Sequence, residues 1–269
     1  MHEDITQMFD LRGKTALVTG GARHLGFDAA SVLAAAGCRL AITSRDVESA
    51  QNSARKLTEN YGIETLPLAL DQRNAAAVAE TVSQVKERFG GIDILVNNAG
   101  GTPKSSAAEL TKRDPADVAA LIELNLTAVL YVCREAGKAM IEQKSGKIIN
   151  IASIAGIVGR DRRIYERSGL LGQPVDYAAA KAGIIGATRD LAAFFAPFGV
   201  NVNAISPGGF ERADMPPAFV EDYSNLTPLG RMGRDGVDLK GAVLFFASPA
   251  SDYVTGQNLA VDGGFTVWR

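Results

Sequence analysis

Apolar positions fall into two patterns that alternate along the chain. Short apolar or β-rich runs predict strands over about 14–19, 39–43, 66–70, 92–96, 147–152, 200–205 and 258–261. The run Ile92-Asp93-Ile94-Leu95-Val96 is nearly continuous, as in a strand buried on both faces. Between these runs, apolar residues recur at helical spacing. An alanine-rich helix ends at Gly37, Asp46 caps another running to about 61, and others cover about 75–89, 114–143, Tyr177 to 198 and 238–247.

Strand and helix in strict alternation predict an α/β fold: a Rossmann-type, doubly wound parallel sheet with helices on both faces. Ligands of such sheets bind beyond the carboxyl ends of the strands, where Gly20, Ser44, Asp71 and Asn98 all fall. Two segments break the alternation. One, at about 159–174, carries Arg160, Arg162, Arg163 and Arg167. The other, at about 209–236, is rich in proline, charge and turn residues, with one short helix expected near 217–223, and reads as a lid pinned by Leu226, Leu229 and Met232.

Composition narrows the class without naming the chemistry. With 269 residues, 46% hydrophobic and 22% charged, the chain can form a sizeable core as one domain over 1–269. A formal net charge of −2 without a long basic run gives no footprint for nucleic acid or anionic membrane, and favours a small soluble ligand. Cys38 and Cys133 are too few for a disulfide framework and lack a neighbour at metal-ligand spacing. A polar, acidic N-terminus and the lack of an unbroken apolar stretch of about 18 residues point to the cytoplasm.

The chemistry centres on Tyr177-Ala178-Ala179-Ala180-Lys181. Residues at i and i+4 share a helix face, so an ammonium stands beside a phenol. A free phenol titrates near pH 10, and a neighbouring positive charge favours the phenolate, which suits acid–base work near neutrality. Upstream, the first strand runs into Gly20-Gly21-Ala22-Arg23-His24-Leu25-Gly26, a turn that can offer helix N-terminal amides to a pyrophosphate. At the end of the second strand, where a dinucleotide fold meets the adenine ribose, Ser44-Arg45 offers a hydroxyl and a guanidinium instead of a carboxylate. Arg45, with Arg23, can bind a 2′-phosphate by charge-assisted hydrogen bonds, which predicts NADP(H) over NAD(H). Asn125, flanked by leucines, must face a polar site or satisfy backbone groups. Ser153 stands at the carboxyl end of the fifth strand.

In this order, Thr19-Gly20 with Gly26, Asn97-Asn98-Ala99-Gly100, Asn125, Ser153, Tyr177 with Lys181, Pro207-Gly208 and Asp262-Gly263-Gly264 resemble the short-chain dehydrogenase/reductase family along nearly the whole chain. The resemblance implies seven parallel strands, a homotetramer assembled through the helices carrying Asn125 and Tyr177, and hydride transfer with NAD or NADP without a metal. It implies Tyr177 as general acid/base and Lys181 lowering its pKa while holding the nicotinamide ribose. Ser153 would bind the reacting oxygen and Asn125 a relay water. Gly20, Arg23, His24, Leu25, Gly26, Ser44, Arg45, Asp71, Gln72, Asn98, Ala99, Gly100, Tyr177, Lys181, Pro207, Gly208 and Phe210 would line the cofactor.

Three departures qualify the match. His24 replaces a family glycine in the turn, and Arg212 stands near a missing lid threonine, where it can take over a pyrophosphate contact. The third is the spacing from Ser153 to Tyr177, about twice the family's. Tyr165 lies nearer the usual spacing, but Gly169 replaces the lysine four residues on and Ser168-Gly169 breaks the helix, so the acid/base falls to Tyr177. The arginine-rich segment is then an insertion beside the site, with Arg162 and Arg163 as substrate ligands alongside Ser153 and Tyr177. With Arg231-Met232-Gly233 and the aromatic end Phe265-Thr266-Val267-Trp268, the insertion resembles members acting on sugars, sugar acids or polyols, such as gluconate 5-dehydrogenase-like enzymes. The expected activity interconverts a secondary alcohol and a ketone on a polar, sugar-like substrate. The alternatives are a 3-oxoacyl thioester reductase and a nucleotide-sensing protein without chemistry, the latter disfavoured by the four residues Asn125, Ser153, Tyr177 and Lys181.

Overall fold

The structure is a computed structural model that describes residues 2–102 and 108–268. Its first elements are helix α1 (Glu3–Met8), strand β1 (Thr15–Thr19), helix α2 (His24–Ala35), strand β2 (Arg39–Ser44), helix α3 (Val47–Tyr61), strand β3 (Thr65–Ala69), helix α4 (Ala75–Phe89) and strand β4 (Ile94–Asn97). Then come α5 (Pro115–Ile122), a π-helical turn (Glu123–Thr127), α6 (Ala128–Gln143), β5 (Gly146–Ile151), α7 (Arg163–Arg167), α8 (Val175–Phe195) and β6 (Val200–Pro207). The last elements are β7 (Phe210–Glu211), α9 (Pro217–Asn225), β8 (Gly233–Arg234), α10 (Lys240–Ala247) and β9 (Asn258–Val261).

Seven strands form one parallel sheet in the order β3-β2-β1-β4-β5-β6-β9. Alternate side chains of each strand enter opposite cores, because successive Cβ atoms point to opposite faces. Leu17 of β1 and Leu95 of β4 pack with Val82 of α4, Val132 of α6 and Ile184 of α8. Their neighbours Val18 and Val96 pack with Leu33 of α2, Leu57 of α3 and Phe246 of α10. The chain order reverses direction across the sheet between β1 and β4, and the crevice at that switch point opens at their carboxyl ends.

The sequence-predicted strands and long helices recur within a few residues of their expected bounds. Besides the π-helical turn, three elements were not expected. Helix α1 has six residues and buries none of them, so it has no apolar pattern to read. The insertion holds α7, whose Ile164 is buried, and it packs on the lid: Tyr165 and Phe219 rings lie 5.1 Å apart, and Arg167 Nη2 meets Asp222 Oδ2 at 2.9 Å. Ile164, Phe219, Tyr223, Met232 and Phe265 form a small core of their own, so insertion and lid make one cover. Leu226 and Met232 pin that cover as expected, whereas Leu229 is exposed. The third is a parallel ribbon of β7 and β8, which closes the base of the lid.

The helical run Pro115–Gln143 is apolar and long enough by composition to cross a membrane. Its middle, however, carries the fully buried Asn125, and α6 packs along α4.

Candidate active site

The glycine turn is built by close packing. A Cβ on Gly26 would stand 2.2 Å from the Gly20 carbonyl oxygen and 2.4 Å from Asn98 Nδ2, so only glycine fits. Asn98 Nδ2 donates to the carbonyls of Thr19 and Gly20 at 3.1 Å each, tying the turn to the end of β4. No side chain among the described residues caps α2, which leaves its first-turn amides available to a ligand. These uncapped amides fit a pyrophosphate.

His24 adopts φ +49, the left-handed region that its glycine counterpart would enter without strain. Its imidazole is exposed and turned to the lid base, with Nδ1 3.8 Å from Asp235 Oδ2. The side chain therefore does not fill the turn, and His24 and Leu25 can face a phosphate through their backbone. Ser44 accepts from the Asp46 amide at 3.2 Å, keeping its own proton free to donate. Arg45 is exposed, and the nearest carboxylate in sequence, Asp46, is engaged in capping α3 through the Glu48 amide and Ser49. The end of β2 thus offers donors, and the carboxylates near it, Asp46 and Asp71, are engaged by Ser49 and Arg73, which fits a phosphorylated ribose. Arg23 is exposed beside it.

Other expected cofactor residues are arranged differently from one another. Asp71 accepts from the Arg73 guanidinium, which holds its carboxyl below the usual range. Gln72 is buried, with Nε2 donating to the carbonyls of Ala99 and Leu124, so its side chain supports the crevice floor. Gly208 donates its amide to Val261, and Phe210 is buried in the core, leaving backbone to face a cofactor there. Arg212 is exposed on the lid.

Four residues converge at the carboxyl ends of β4 and β5. Asn125 sits in the π-helical turn, a distortion common at functional sites. Its Oδ1 accepts from the Gly101 amide at 2.7 Å, and Nδ2 donates to the carbonyls of Gly101 and Leu121. Of the two expectations for this residue, backbone satisfaction is the one seen. Ser153 follows β5, its Oγ accepting from the Ala155 amide at 3.1 Å. Tyr177 and Lys181 lie one turn apart on α8, both buried. Lys181 Nζ donates to the Ile151 carbonyl at 2.7 Å and stands 5.7 Å from the Tyr177 ring centroid.

Burial pushes the Tyr177 phenol above its ordinary range. A hydrogen bond with Ser153 and the positive charge of Arg160 pull it back, while Tyr165 pushes it up. Arg160 of the insertion thus adds its charge to that of Lys181, whose ammonium stands beside the ring while bonded to the β5 backbone. The sequence carried no signal for this role, because nothing in residue spacing reveals which of four arginines folds inward. The other three lie elsewhere. Arg163 is exposed and paired with Asp161 at 2.7 Å, so the structure gives this expected substrate ligand a partner outside the crevice. Arg162, also exposed, donates to the Ala108 carbonyl at 3.4 Å, and Arg167 is held by Asp222. Tyr165 is held in the cover against Phe219, away from any lysine partner.

Burial also lowers the Lys181 ammonium to about 8 from 10.5. Between these values the unfolded chain binds a proton that the folded chain has released, so stability rises with pH across that window and falls again as pH drops toward 8. Relative to Lys181→Met, the wild-type protein is expected to gain about 1–3 kcal/mol between pH 8 and 10.5 in denaturant unfolding. Parallel stability curves for the two proteins would contradict the assignment.

A doubly wound sheet with a glycine turn at its switch point, and a tyrosine, lysine, serine and asparagine at the strand ends, defines a dinucleotide-dependent oxidoreductase. Residues 20–266 match the sequence model of the family described as enoyl-(acyl carrier protein) reductase. The chain is 35% identical over 259 residues to the 3-oxoacyl-(acyl-carrier-protein) reductase of Vibrio cholerae, covering 95% of this chain and 98% of the relative. It is 33% identical over 263 residues to the 2-dehydro-3-deoxy-D-gluconate 5-dehydrogenase of Formosa agariphila, covering 96% and 94%. Among solved structures, a gluconate 5-dehydrogenase from Burkholderia cenocepacia in complex with NADP and tartrate superposes with a TM-score of 0.87 at 34% identity, covering 98% of this chain and 99% of that one. The chain belongs to the short-chain dehydrogenase/reductase family, whose members of this kind are enzymes acting on CH–OH or C=O groups with NAD(P).

Proposed function

We propose that the protein is an NADP(H)-dependent oxidoreductase that interconverts a secondary alcohol and a ketone on a polar sugar, sugar-acid or polyol-like substrate. The observation that carries this reading is the convergence of Ser153, Tyr177, Lys181 and Asn125 at the carboxyl ends of β4 and β5. A nicotinamide dinucleotide, when bound, supplies or accepts the hydride. Gly20, Leu25, Gly26 and Gly100 would hold its phosphates and ribose, and Lys181 would reach the nicotinamide ribose from its place on Ile151. Ser153 donates to the carbonyl oxygen, and Tyr177 delivers the proton that the oxygen gains on reduction and removes it on oxidation. With its side chain engaged by Gly101 and Leu121, Asn125 would hold a relay water beside Lys181 through its main chain. The Arg163 pair leaves Arg162 as the insertion's substrate ligand at the rim.

The chain works as a single domain over 1–269 and assembles in the cytoplasm as a homotetramer. Support for self-association comes from exposed Leu130, Val175 and Phe194 on α6 and α8, and from burial of only 33% of the most apolar window in Pro115–Gln143. The similarity to the Vibrio cholerae enzyme favours a second reading, reduction of 3-oxoacyl thioesters. Assaying purified protein with NADPH or NADH against keto sugar acids, keto polyols and 3-oxoacyl thioesters separates the two. Turnover confined to the thioesters would overturn the substrate reading.

The same assay tests the cofactor. NADPH is expected to bind more tightly than NADH by about 1.5–3 kcal/mol, the size of charged hydrogen bonds, and Ser44→Asp with Arg45→Ala reverses the order. Equal dissociation constants in the unmodified protein would remove the basis for the preference. For the substrate, Arg162→Ala is expected to raise KM for an anionic sugar-type substrate about tenfold, with a neutral analogue and Arg163→Ala nearly unaffected. Equal effects on the anionic and neutral substrates would mean that the insertion shapes the site without reading charge.

A further inference from the structure

A line of polar side chains lies between the sheet and helices α6 and α8. Asn97 ends β4, Asn150 stands beside it in β5, Cys133 meets them from α6 and Thr188 from α8, and none of the four is more than 2% exposed. Asn97 Nδ2 donates to Cys133 Sγ at 3.1 Å and to Asn150 Oδ1 at 2.9 Å, and Asn150 Nδ2 donates to Thr188 Oγ1 at 3.0 Å. Thr188 gives its own proton to the Ile184 carbonyl at 2.8 Å, so a lone pair of its hydroxyl is what Asn150 reaches. The surrounding core is apolar, built from residues such as Leu95, Val129, Val132, Ile148 and Ile184. Each polar member of the line is desolvated at a cost, but a hydrogen bond fixes the relative position of two elements more narrowly than apolar contact does.

We propose that Asn150 and Thr188 are positioning residues: their hydrogen bond sets the register of α8 on β5 and so holds Tyr177 and Lys181 at the working geometry. This rests on the reading of Tyr177 as the acid/base. Two bonds join the same two elements at neighbouring strand positions, one from Asn150 to Thr188 and one from Lys181 to the Ile151 carbonyl. Thr188 follows Lys181 by about two turns, so both stand on one face of α8, and both are buried there. The outer bond belongs to an ammonium on a long, flexible stem that also serves the nicotinamide ribose, and such a stem tolerates sliding of the helix. The inner bond joins two short side chains. Thr188 is stiff about its first side-chain torsion and anchored to Ile184, and Asn150 is held by Asn97, so a small shift of either element breaks it. Thr188 acts on the phenol through the helix alone.

Thr188→Val keeps the shape of the side chain and removes the acceptor. With NADPH and the best substrate of the ketone panel, it is expected to lower kcat about tenfold, since misplacing a catalytic group by about 1 Å costs up to about a hundredfold. The NADPH dissociation constant and the ketone KM are expected to stay within about threefold of wild type. Thr188→Ser keeps the hydroxyl and is expected to hold kcat within about twofold of wild type. The double variant Asn150→Leu with Thr188→Val separates positioning from packing. It leaves no amide stranded against α8, and Asn97 keeps Cys133, so the thermal midpoint is expected to recover toward wild type while kcat stays about tenfold down. A folded Thr188→Val with kcat within about twofold of wild type overturns the proposal. So does a serine variant no more active than the valine one, or a double variant whose kcat recovers together with its thermal midpoint. Should Thr188→Val fail to fold, the double variant decides on the same terms. Tyr177→Phe, assayed in parallel, separates the two levels. Full activity in that variant sinks the acid–base reading itself, whereas an inactive Tyr177→Phe beside a fully active Thr188→Val sinks only the inference.

Discussion

Tyr177→Phe is expected to lower turnover by about two to four orders of magnitude while leaving NADPH affinity nearly unchanged, the range for loss of a positioned acid or base. The phenyl ring keeps the packing of Tyr177 against Leu121 and Ala155, so the helix and the crevice stay in place. What disappears is the hydroxyl that meets Ser153 and feels Arg160. Tyr165→Phe is the control, because its ring contact with Phe219 survives and only the hydroxyl against Arg160 is lost. Its effect should be several-fold at most. Steady-state rates and a fluorescence titration of cofactor binding check both variants. A larger loss in Tyr165→Phe than in Tyr177→Phe would move the acid/base into the insertion.

Arg113→Ala is expected to destabilise the protein by about 3–5 kcal/mol, because it strands a buried carboxylate. Arg113 Nη2 meets Asp176 Oδ2 at 2.5 Å, and the two side chains are only 1% and 2% exposed. Arg113 Nε and Nη1 and Asp176 Oδ1 find no hydrogen-bond partner among the described residues, and Asp117 lies 4.0 Å from Nη1 on the solvent side. The pair is thus thinly supported, and its net worth is small compared with the penalty of breaking it. Arg113→Met combined with Asp176→Leu should therefore recover most of the loss. Denaturant midpoints at fixed protein concentration measure all three proteins. A single variant within about 0.5 kcal/mol of wild type would mean that water reaches the pair. Since Asp176 adjoins Tyr177 in the first turn of α8, the pair also anchors the acid–base residue to the start of α5.

The sheet was legible because its strands carry local signals, apolar runs punctuated by glycine, serine and asparagine at their carboxyl ends. Tyr177 and Lys181 were legible for the same reason, since an i, i+4 pair on an alanine-rich helix is set by local geometry. What the sequence hid depends on contacts between distant segments. Arg160, Arg162, Arg163 and Arg167 look alike in a charged stretch, and only the packing of α7 on α9 turns the first inward and hands the others to Ala108, Asp161 and Asp222. Arg113 and Asp176 are 63 positions apart. The π-helical turn at Asn125 was equally hidden, because the leucines around it suit an α-helix and the extra residue is accommodated through Gly101. His24 was recognisable as a departure, but its turn toward Asp235 needed the lid in place.

Hydride transfer to a carbonyl carbon at the Tyr177 site is the claim on which the rest depends, and isotope transfer tests it most directly. NADPH carrying deuterium at the transferable nicotinamide position is incubated with the protein and the best ketone of the sugar-acid panel, and the product is read by mass spectrometry. One deuterium at the carbinol carbon, formed by the wild-type protein and at least a hundredfold more slowly by Tyr177→Phe, is the predicted result. Product without that deuterium, or equal rates in the two proteins, would contradict it.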